Sequence, residues 1–304
     1  MIAIKIYVGV TDKEWYEQLN KQRPEEVNFW KPGSSNFRAL QANDMFLFKL
    51  HHPYNYIVGG GFFVRFSLLP PSIAWQAFAL KNGTNSFGEL MRRIKKYRGR
   101  NDIDGDNALI GCIILAEPFF FEKEDWIPVP EDWSSNIVQG KTYETNTEIG
   151  NRLYHQVLSH LGAGISSNNQ SPRFAMSLTS HRLGQGAFRV VVTEAYQRRC
   201  AITGEKTLPV LQAAHIKPYT QDGPHDVKNG LLLRSDLHTL FDDGYLTLTN
   251  DLFVEVSRRL NLDYGNGKDY YKYHGQKLQI LPSSTIELPS REFITWHNEN
   301  CYKG

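Results

Sequence analysis

A chain of 304 residues has room for two domains of ordinary size, each with its own core. With 41% hydrophobic and 22% charged residues it reads as a soluble globular protein, and no run approaches the roughly 20 apolar residues that span a bilayer. The formal net charge of +2 excludes any bulk-charge argument for a nucleic-acid partner, which has to be argued from local clusters instead.

Cys112, Cys200 and Cys301 are odd in number and widely spaced, giving neither a disulfide framework nor a paired-cysteine metal knuckle. A reducing, cytoplasmic location is expected. The opening MIAIKIYVGV is short and lacks a small-residue cleavage site, so it reads as a strand rather than a signal peptide.

In chain order, Ile2–Val10, Asp44–Leu50, Ile57–Phe66 and Ala108–Phe121 are rich in β-branched and aromatic residues and are bounded by turn formers, which predicts strands. Asp12–Asn20, Ser72–Leu80 and Ser86–Tyr97 fit helices, the last with Ser86 and Glu89 spaced as a capping box. The alternation predicts a small α+β domain over residues 1–130 with a curved sheet or open barrel. Residues 131–184 are polar, with Gly and Ser concentrated in Gly162–Ser171, and read as a linker holding one helix, Thr147–Leu161. Residues 185–304 form the second domain. There the pattern gives a helix Ala187–Arg198, a strand near Val210–Ala214, a long loop and a strand Gly230–Arg234. A helix follows, N-capped by Ser235 and stopped by Gly244, and then strands Tyr245–Thr249 and Leu252–Ser257.

The most informative stretch runs from Ala213-Ala-His-Ile-Lys-Pro218 through Asn229-Gly-Leu-Leu-Leu233 to Ser235-Asp-Leu-His-Thr-Leu-Phe-Asp242. His215 and Asn229 are 14 residues apart, Asn229 and His238 are 9 apart, and His238 and Asp242 are 4 apart. On the helix, Leu237, Leu240 and Phe241 form the apolar stripe, while His238 and Asp242 lie one turn apart on another face, where they can share a divalent cation. Phosphodiester hydrolysis needs a base to deprotonate water and a cation to neutralise developing charge. A histidine serves as that base near neutral pH, and His215 is assigned the role. His238 and Asp242 are the expected metal ligands, and the Asn229 amide is expected to hold the loop that carries His215. Any one of the ten histidines taken singly is ordinarily structural; the ordered set of three on a strand–loop–helix frame is what points to function. His225, in the same loop, and Cys200 are read as structural.

The order and spacing of His215, Asn229 and His238, with Gly184-Gln-Gly-Ala-Phe-Arg189 and Cys200-Ala-Ile-Thr-Gly204 upstream, resemble the HNH endonuclease family. The resemblance implies a ββα-metal fold, a β-hairpin followed by a helix clasping one cation, here Mg²⁺, Mn²⁺ or another transition metal. Many members carry a metal ligand just before the base histidine, where this chain has Ala214, so water or a phosphate oxygen would fill that place.

Upstream, Asn28-Phe-Trp-Lys-Pro, Asn43-Asp-Met-Phe-Leu-Phe-Lys49 and Gly59-Gly-Gly-Phe-Phe63 resemble an EVE domain of the PUA-like superfamily, which implies a curved β-barrel with helices and a pocket. Joined to an HNH module, such a domain is similar to those of modification-dependent restriction endonucleases. That implies double-stranded DNA carrying 5-methylcytosine or 5-hydroxymethylcytosine as substrate, read by base flipping. Trp30, Ser34, Asn36, Phe37 and Trp75 are the pocket candidates; the competing reading is that these aromatics fill a small core. Arg92, Arg93, Lys95, Lys96 and Arg98, with Arg100 beyond them, make a basic helix face for phosphate contact or for solvation alone, and Lys217 is a further phosphate candidate near the nuclease site. Two other readings remain: a nuclease whose first domain senses RNA or a small ligand, and a DNA-binding sensor that does not cut. A single HNH site cuts one strand at a time, so a double-strand break requires a homodimer or two successive events.

Overall fold

The computed structural model describes residues 3–98, 109–163 and 183–304. Ile2, Arg100, Ala108 and residues 164–171 of the Gly/Ser stretch lie outside the described residues. The chain divides into two compact units, Met1–Ala187 and Phe188–Gly304.

In the first unit, strands β1 (Lys5–Thr11), β2 (Glu26–Lys31), β3 (Met45–Leu50), β4 (Tyr56–Leu69), β5 (Ile110–Phe120), β6 (Ile127–Pro128) and β7 (Gly140–Glu144) form one sheet. Its path is β2-β5-β4-β3-β1-β7, with β6 alongside β4. β1 and β3 run parallel, and the other pairs are antiparallel. The unit is α+β, as expected. The sheet is open, with β2 and β7 at the two ends of its path, so the expected barrel does not close among the described residues. Register shifts along β4 add residues on one side of the ladder and bend that long strand.

The sheet is covered on both faces. Phe46, Phe48 and Leu50 of β3 pack on one side with Trp15, Tyr16 and Leu19 of helix α1 (Lys13–Gln22). Met45 and Leu47 point to the other side, with Leu153 and Val157 of a later helix. Alternate residues of one strand serve two cores, which is why Met45–Phe48 reads as a continuous apolar run.

Residues 131–163 are not the linker that their polarity suggests. β7 pairs with β1, and helix α4 (Glu148–Ala163) packs Leu153 and Val157 into the second core. Strand β2 also escaped the sequence reading. Its fully buried positions include Glu26 and Asn28, and polar residues facing inward break the apolar alternation. Asn28 Nδ2 donates there to Asn82 Oδ1 at 2.9 Å. Helices α2 (Pro71–Phe78) and α3 (Phe87–Arg98) follow β4. Ser86 Oγ accepts the Glu89 N–H at the start of α3, while the Glu89 carboxylate reaches back to the N–H of Asn85.

The second unit begins within helix α5 (Gln185–Ala195) and continues with hairpin strands β8 (Leu211–His215) and β9 (Gly230–Arg234), which pair in antiparallel register. Helix α6 (Ser235–Asp242) leaves β9 directly. Ser235 is the first helical residue rather than the N-cap; Arg234 holds the cap position and its guanidinium grips the Asp236 carboxylate. Gly244 ends the helix in a left-handed conformation at φ 75°. A Cβ at that position would strike the Cys301 carbonyl, so glycine is required twice over. Then come strands β10 (Leu246–Leu248) and β11 (Val254–Val256), short helices α7 (Arg259–Tyr264) and α8 (Lys268–Tyr271), and α9 (Arg291–Asn300).

His297 of α9 closes this core. Its ring stacks on Phe241 with centroids 3.9 Å apart, and Nε2 donates to the Phe241 carbonyl at 3.0 Å. Burial lowers its pKa from the ordinary 6.5 to about 4, against a small upward pull from that carbonyl. Between those two values the unfolded chain binds a proton that the folded chain does not. Stability should therefore fall as pH drops through that window, with a limiting slope of about 1.4 kcal/mol per pH unit per proton. His297→Gln keeps an N–H donor and cannot titrate. Urea series at pH 7, 6 and 5, read by hydrogen exchange in peptides from α9, should show a flatter pH dependence for the variant. Identical pH dependence in both proteins would contradict the buried neutral imidazole.

Candidate active site

β8, β9 and α6 place the sequence-predicted residues. Within β8, Gln212 and Ala214 share one strand face and Ala213 and His215 the other. Gln212 Oε1 lies 2.7 Å from Nδ1 of His238, so that face is turned to α6. Ala214, next on the same face, is fully buried and brings no donor.

His215 ends β8 opposite Gly230. Its ring stacks on Phe188 with centroids 3.9 Å apart and planes 14° apart. Gly230 makes room for this stack, because a Cβ there would press on Val192 and on the Phe188 ring. On its other side, His215 Nε2 meets Nδ1 of His225 at 2.9 Å. Burial, then the charges of His225 and His238, lower the His215 pKa from 6.5 to about 4. His215 is therefore a neutral imidazole at neutral pH, close enough to His238 to feel its charge.

Asn229 is fully buried at the start of β9. Its Oδ1 accepts the Lys217 N–H at 2.8 Å, and its Nδ2 donates to the Lys217 and Pro224 carbonyls at 2.9 and 3.0 Å. One side chain thus ties both ends of the loop between β8 and β9.

On α6, His238 Nε2 lies 3.2 Å from Asp242 Oδ2. A carbonyl oxygen only accepts, so the Gln212 contact puts the proton on His238 Nδ1. In the neutral ring, Nε2 then turns a lone pair toward a carboxylate oxygen. Two electron-pair donors facing each other call for a proton or a cation between them, and the pair fits a shared divalent ion. Among the described residues no group of three His, Cys, Asp or Glu converges, so water or phosphate oxygens would complete such a sphere.

The basic face of α3 is only partly available. Arg93 is turned inward, paired with Glu89 at 2.6 Å and Asp12 at 3.4 Å. Arg98 donates to the Pro32 and Leu109 carbonyls. These two expected phosphate contacts serve the fold, because acidic and carbonyl partners sit within their reach. Arg92, Lys95 and Lys96 are exposed. Lys217 holds its Nζ over the Trp296 ring, 5.5 Å from the centroid.

The five aromatic and polar pocket candidates do not converge. Trp30 lines a cavity of about 260 Å³ with Tyr7, Trp15, Lys31, His51 and Tyr97. Phe37 packs instead against Tyr7, Phe63 and Phe66. Trp75 sits on α2 beside Phe87. Ser34 and Asn36 are exposed in the loop after β2, and it is Ser35 that reaches the cavity. Sequence reasoning also passed over Gln212, Phe188 and the His215–His225 contact. Gln212 sits one step from Ala214 along the same strand face, which was the available signal.

A β-hairpin thus feeds directly into a helix, with a half-buried neutral histidine ending the first strand and a His–Asp pair on the helix, a ββα arrangement. The family model described as HNH endonuclease matches residues 200–249, a stretch that covers β8, β9 and α6. No curated protein matches the chain. The solved structure of a "modification dependent TagI restriction endonuclease" aligns with 92% of this chain and 76% of its own at 14% identity, with a TM-score of 0.30. A superposition that loose carries no argument.

Replacing Asn229 tests the loop closure. Asn229→Ala leaves buried backbone groups without partners, at about 1–3 kcal/mol for each unsatisfied group. Asn229→Asp keeps the acceptor for Lys217 N–H but sets a carboxylate against two carbonyl oxygens, so it should be no more stable than the alanine variant. Urea denaturation read by hydrogen exchange over β8 and β9 measures both. Wild-type stability in the aspartate variant would show that the three hydrogen bonds do not hold the loop.

Proposed function

We propose that this chain is a metal-dependent endodeoxyribonuclease that acts on double-stranded DNA carrying a modified cytosine. The observation that carries the nuclease reading is a neutral, half-buried His215 and the His238–Asp242 pair on one ββα frame. In the reaction, His215 takes a proton from the attacking water as the new oxygen–phosphorus bond forms. Burial keeps its lone pair unprotonated across the neutral range, so the base is ready in nearly every molecule. His238 and Asp242 would hold Mg²⁺ or Mn²⁺, and a divalent ion there neutralises charge that builds up on the phosphate and the leaving oxygen. Asn229 keeps His215 in place by fixing its loop.

His215→Ala should abolish cleavage of plasmid DNA supplied with Mn²⁺, while DNA binding measured by gel shift stays at the wild-type level. Cleavage at the wild-type rate by the purified variant would remove His215 from the base role.

The modified-base reading is supported by the cavity beside Trp30. At about 260 Å³ it falls just below the roughly 300 Å³ at which small-molecule sites begin, a size for a single ring rather than a nucleotide. The Trp30 indole is held by a hydrogen bond from Nε1 to the Asn82 carbonyl at 3.0 Å, which presents a fixed stacking surface. Tyr97, at the end of α3, lies 6.2 Å from it between ring centroids, and the exposed Arg92, Lys95 and Lys96 on the same helix would meet phosphates. Flipping a base costs a few kcal/mol, which stacking at about 1–3 kcal/mol per base offsets. A buried methyl adds only about 0.8 kcal/mol, so preference for a methylated base is expected to be modest.

Trp30→Ala should therefore weaken binding to a duplex containing 5-methylcytosine or 5-hydroxymethylcytosine by about 5- to 150-fold. Binding to unmodified duplex should change far less. Fluorescence anisotropy on matched duplexes measures both, and RNA of the same sequence serves as a third arm. Equal affinity of the wild type for modified and unmodified DNA would end the modified-base reading and leave the nuclease intact.

A further inference from the structure

His225 belongs to no part of the reading above, yet its position is over-determined. Asn229 donates to the carbonyl of Pro224, the residue before it, at 3.0 Å. The ring of Tyr219 lies flat against the His225 ring, with centroids 4.5 Å apart and planes 5° apart. The Gly223 N–H donates to the Pro218 carbonyl, and a Cβ on Gly223 would collide with the Lys217 carbonyl, so the loop is folded tightly just before His225. The result is that His225 Nδ1 is aimed at His215 Nε2 from 2.9 Å, while His215 itself is clamped on its other face by Phe188.

A hydrogen bond between two neutral imidazoles needs one N–H and one lone pair, so only two arrangements are possible. In the first, His225 Nδ1–H donates to His215 Nε2. That leaves His215 protonated at Nδ1 and its only lone pair engaged, so it has no basic nitrogen to offer. In the second, His215 Nε2–H donates to His225 Nδ1, and the lone pair of His215 stands on Nδ1. Both rings are then Nε2–H tautomers, the form that free histidine prefers, whereas the first arrangement forces both into the less favoured form. Nδ1 of His215 meets no hydrogen-bonding partner among the described residues, and the ring is partly exposed, so a water can approach it.

We propose that His225 is the positioning residue of the base: by accepting Nε2–H of His215 at its own Nδ1, it fixes the tautomer that presents His215 Nδ1 to the attacking water. The proton balance follows directly. The water proton goes to Nδ1 of His215 as the new oxygen–phosphorus bond forms, the bond from phosphorus to the leaving sugar oxygen breaks, that oxygen takes a proton from solvent water, and the imidazolium retains its Nε2–H bond to His225. A partner that accepts from one ring nitrogen both orients the ring and raises the basicity of the other, as the outer partners of metal-ligating histidines do.

This inference rests on the assignment of His215 as the base, and the test separates the two. The full-length protein is labelled with ¹⁵N-histidine, and the His215 ring is assigned by comparison with His215→Gln. Long-range ¹H–¹⁵N correlation, with no metal or DNA present, reads its tautomer. Wild type and His225→Asn, whose Oδ1 replaces the acceptor, should show His215 as Nε2–H. His225→Phe, which keeps a ring against Tyr219 but has no acceptor, should show a mixture of tautomers. In plasmid cleavage with Mn²⁺, His225→Phe should lose about 10- to 100-fold in kcat with KM unchanged, and His225→Asn should recover most of it. A purely structural role would not produce rescue by asparagine together with a tautomer change. An Nδ1–H tautomer for His215 in the wild type, or wild-type kcat in His225→Phe, overturns the proposal. Cleavage by His215→Ala would instead remove the base assignment, and the tautomer of the wild type would still be read on its own.

Discussion

Three hydrogen bonds made by one buried amide close the loop between β8 and β9, and the placement of His215 and His225 depends on that closure. The loop spans residues 216–229, too long to be held by the hairpin ladder alone. Asn229 can hold it because a carboxamide offers an acceptor and two donors within a few ångströms, and here it meets an N–H and two carbonyls of the loop backbone. Aspartate lacks the donors and a hydroxyl lacks the span. The same closure fixes three things at once: the direction in which β8 delivers His215, the path of Lys217, and the residue that precedes His225.

Within that frame, two histidines are given opposite surroundings. His215 is wedged between Phe188 and His225, where loss of water disfavours the charged ring. His238 lies on the open side of α6 with a half-exposed carboxylate one turn away and Gln212 behind it. The first environment keeps a lone pair available for a proton. The second sets a ring nitrogen and a carboxylate oxygen 3.2 Å apart on one helix face. Two side chains of the same residue type are thus given different environments by one small frame.

The β8–β9–α6 frame was legible because a histidine closing one strand, an amide opening the next and an i, i+4 pair on the helix each occupy a position that the backbone geometry dictates. Gly244 was legible for the same reason, since a left-handed turn leaves few choices. What stayed hidden depends on partners distant in sequence. Arg93 and Arg98 look like members of a basic face until Asp12, Glu89, Pro32 and Leu109 are placed beside them. β2 was missed because Glu26 and Asn28 face inward, and their partners Lys81 and Asn82 lie more than fifty positions away. Residues 131–163 read as a linker because a short edge strand carries little apolar pattern and a helix that buries only a narrow stripe looks mostly polar. Phe37 and Trp75 were grouped with Trp30 by composition, which cannot distinguish a ring that lines a cavity from one that fills a core.

The paired imidazoles show how function and stability compete in one loop. Loss of water disfavours the charged form of the half-buried His215 ring, and a charge on His225 beside it would do so further. The tight turn at Gly223, the Tyr219 stack and the Asn229 closure all act to hold His225 against His215. None of these devices is needed to complete the hairpin, which already pairs from Leu211 to His215. Their common effect is to keep two nitrogens at hydrogen-bonding distance. A loop whose only task was to connect two strands would be shorter and would not spend a fully buried amide on its own backbone.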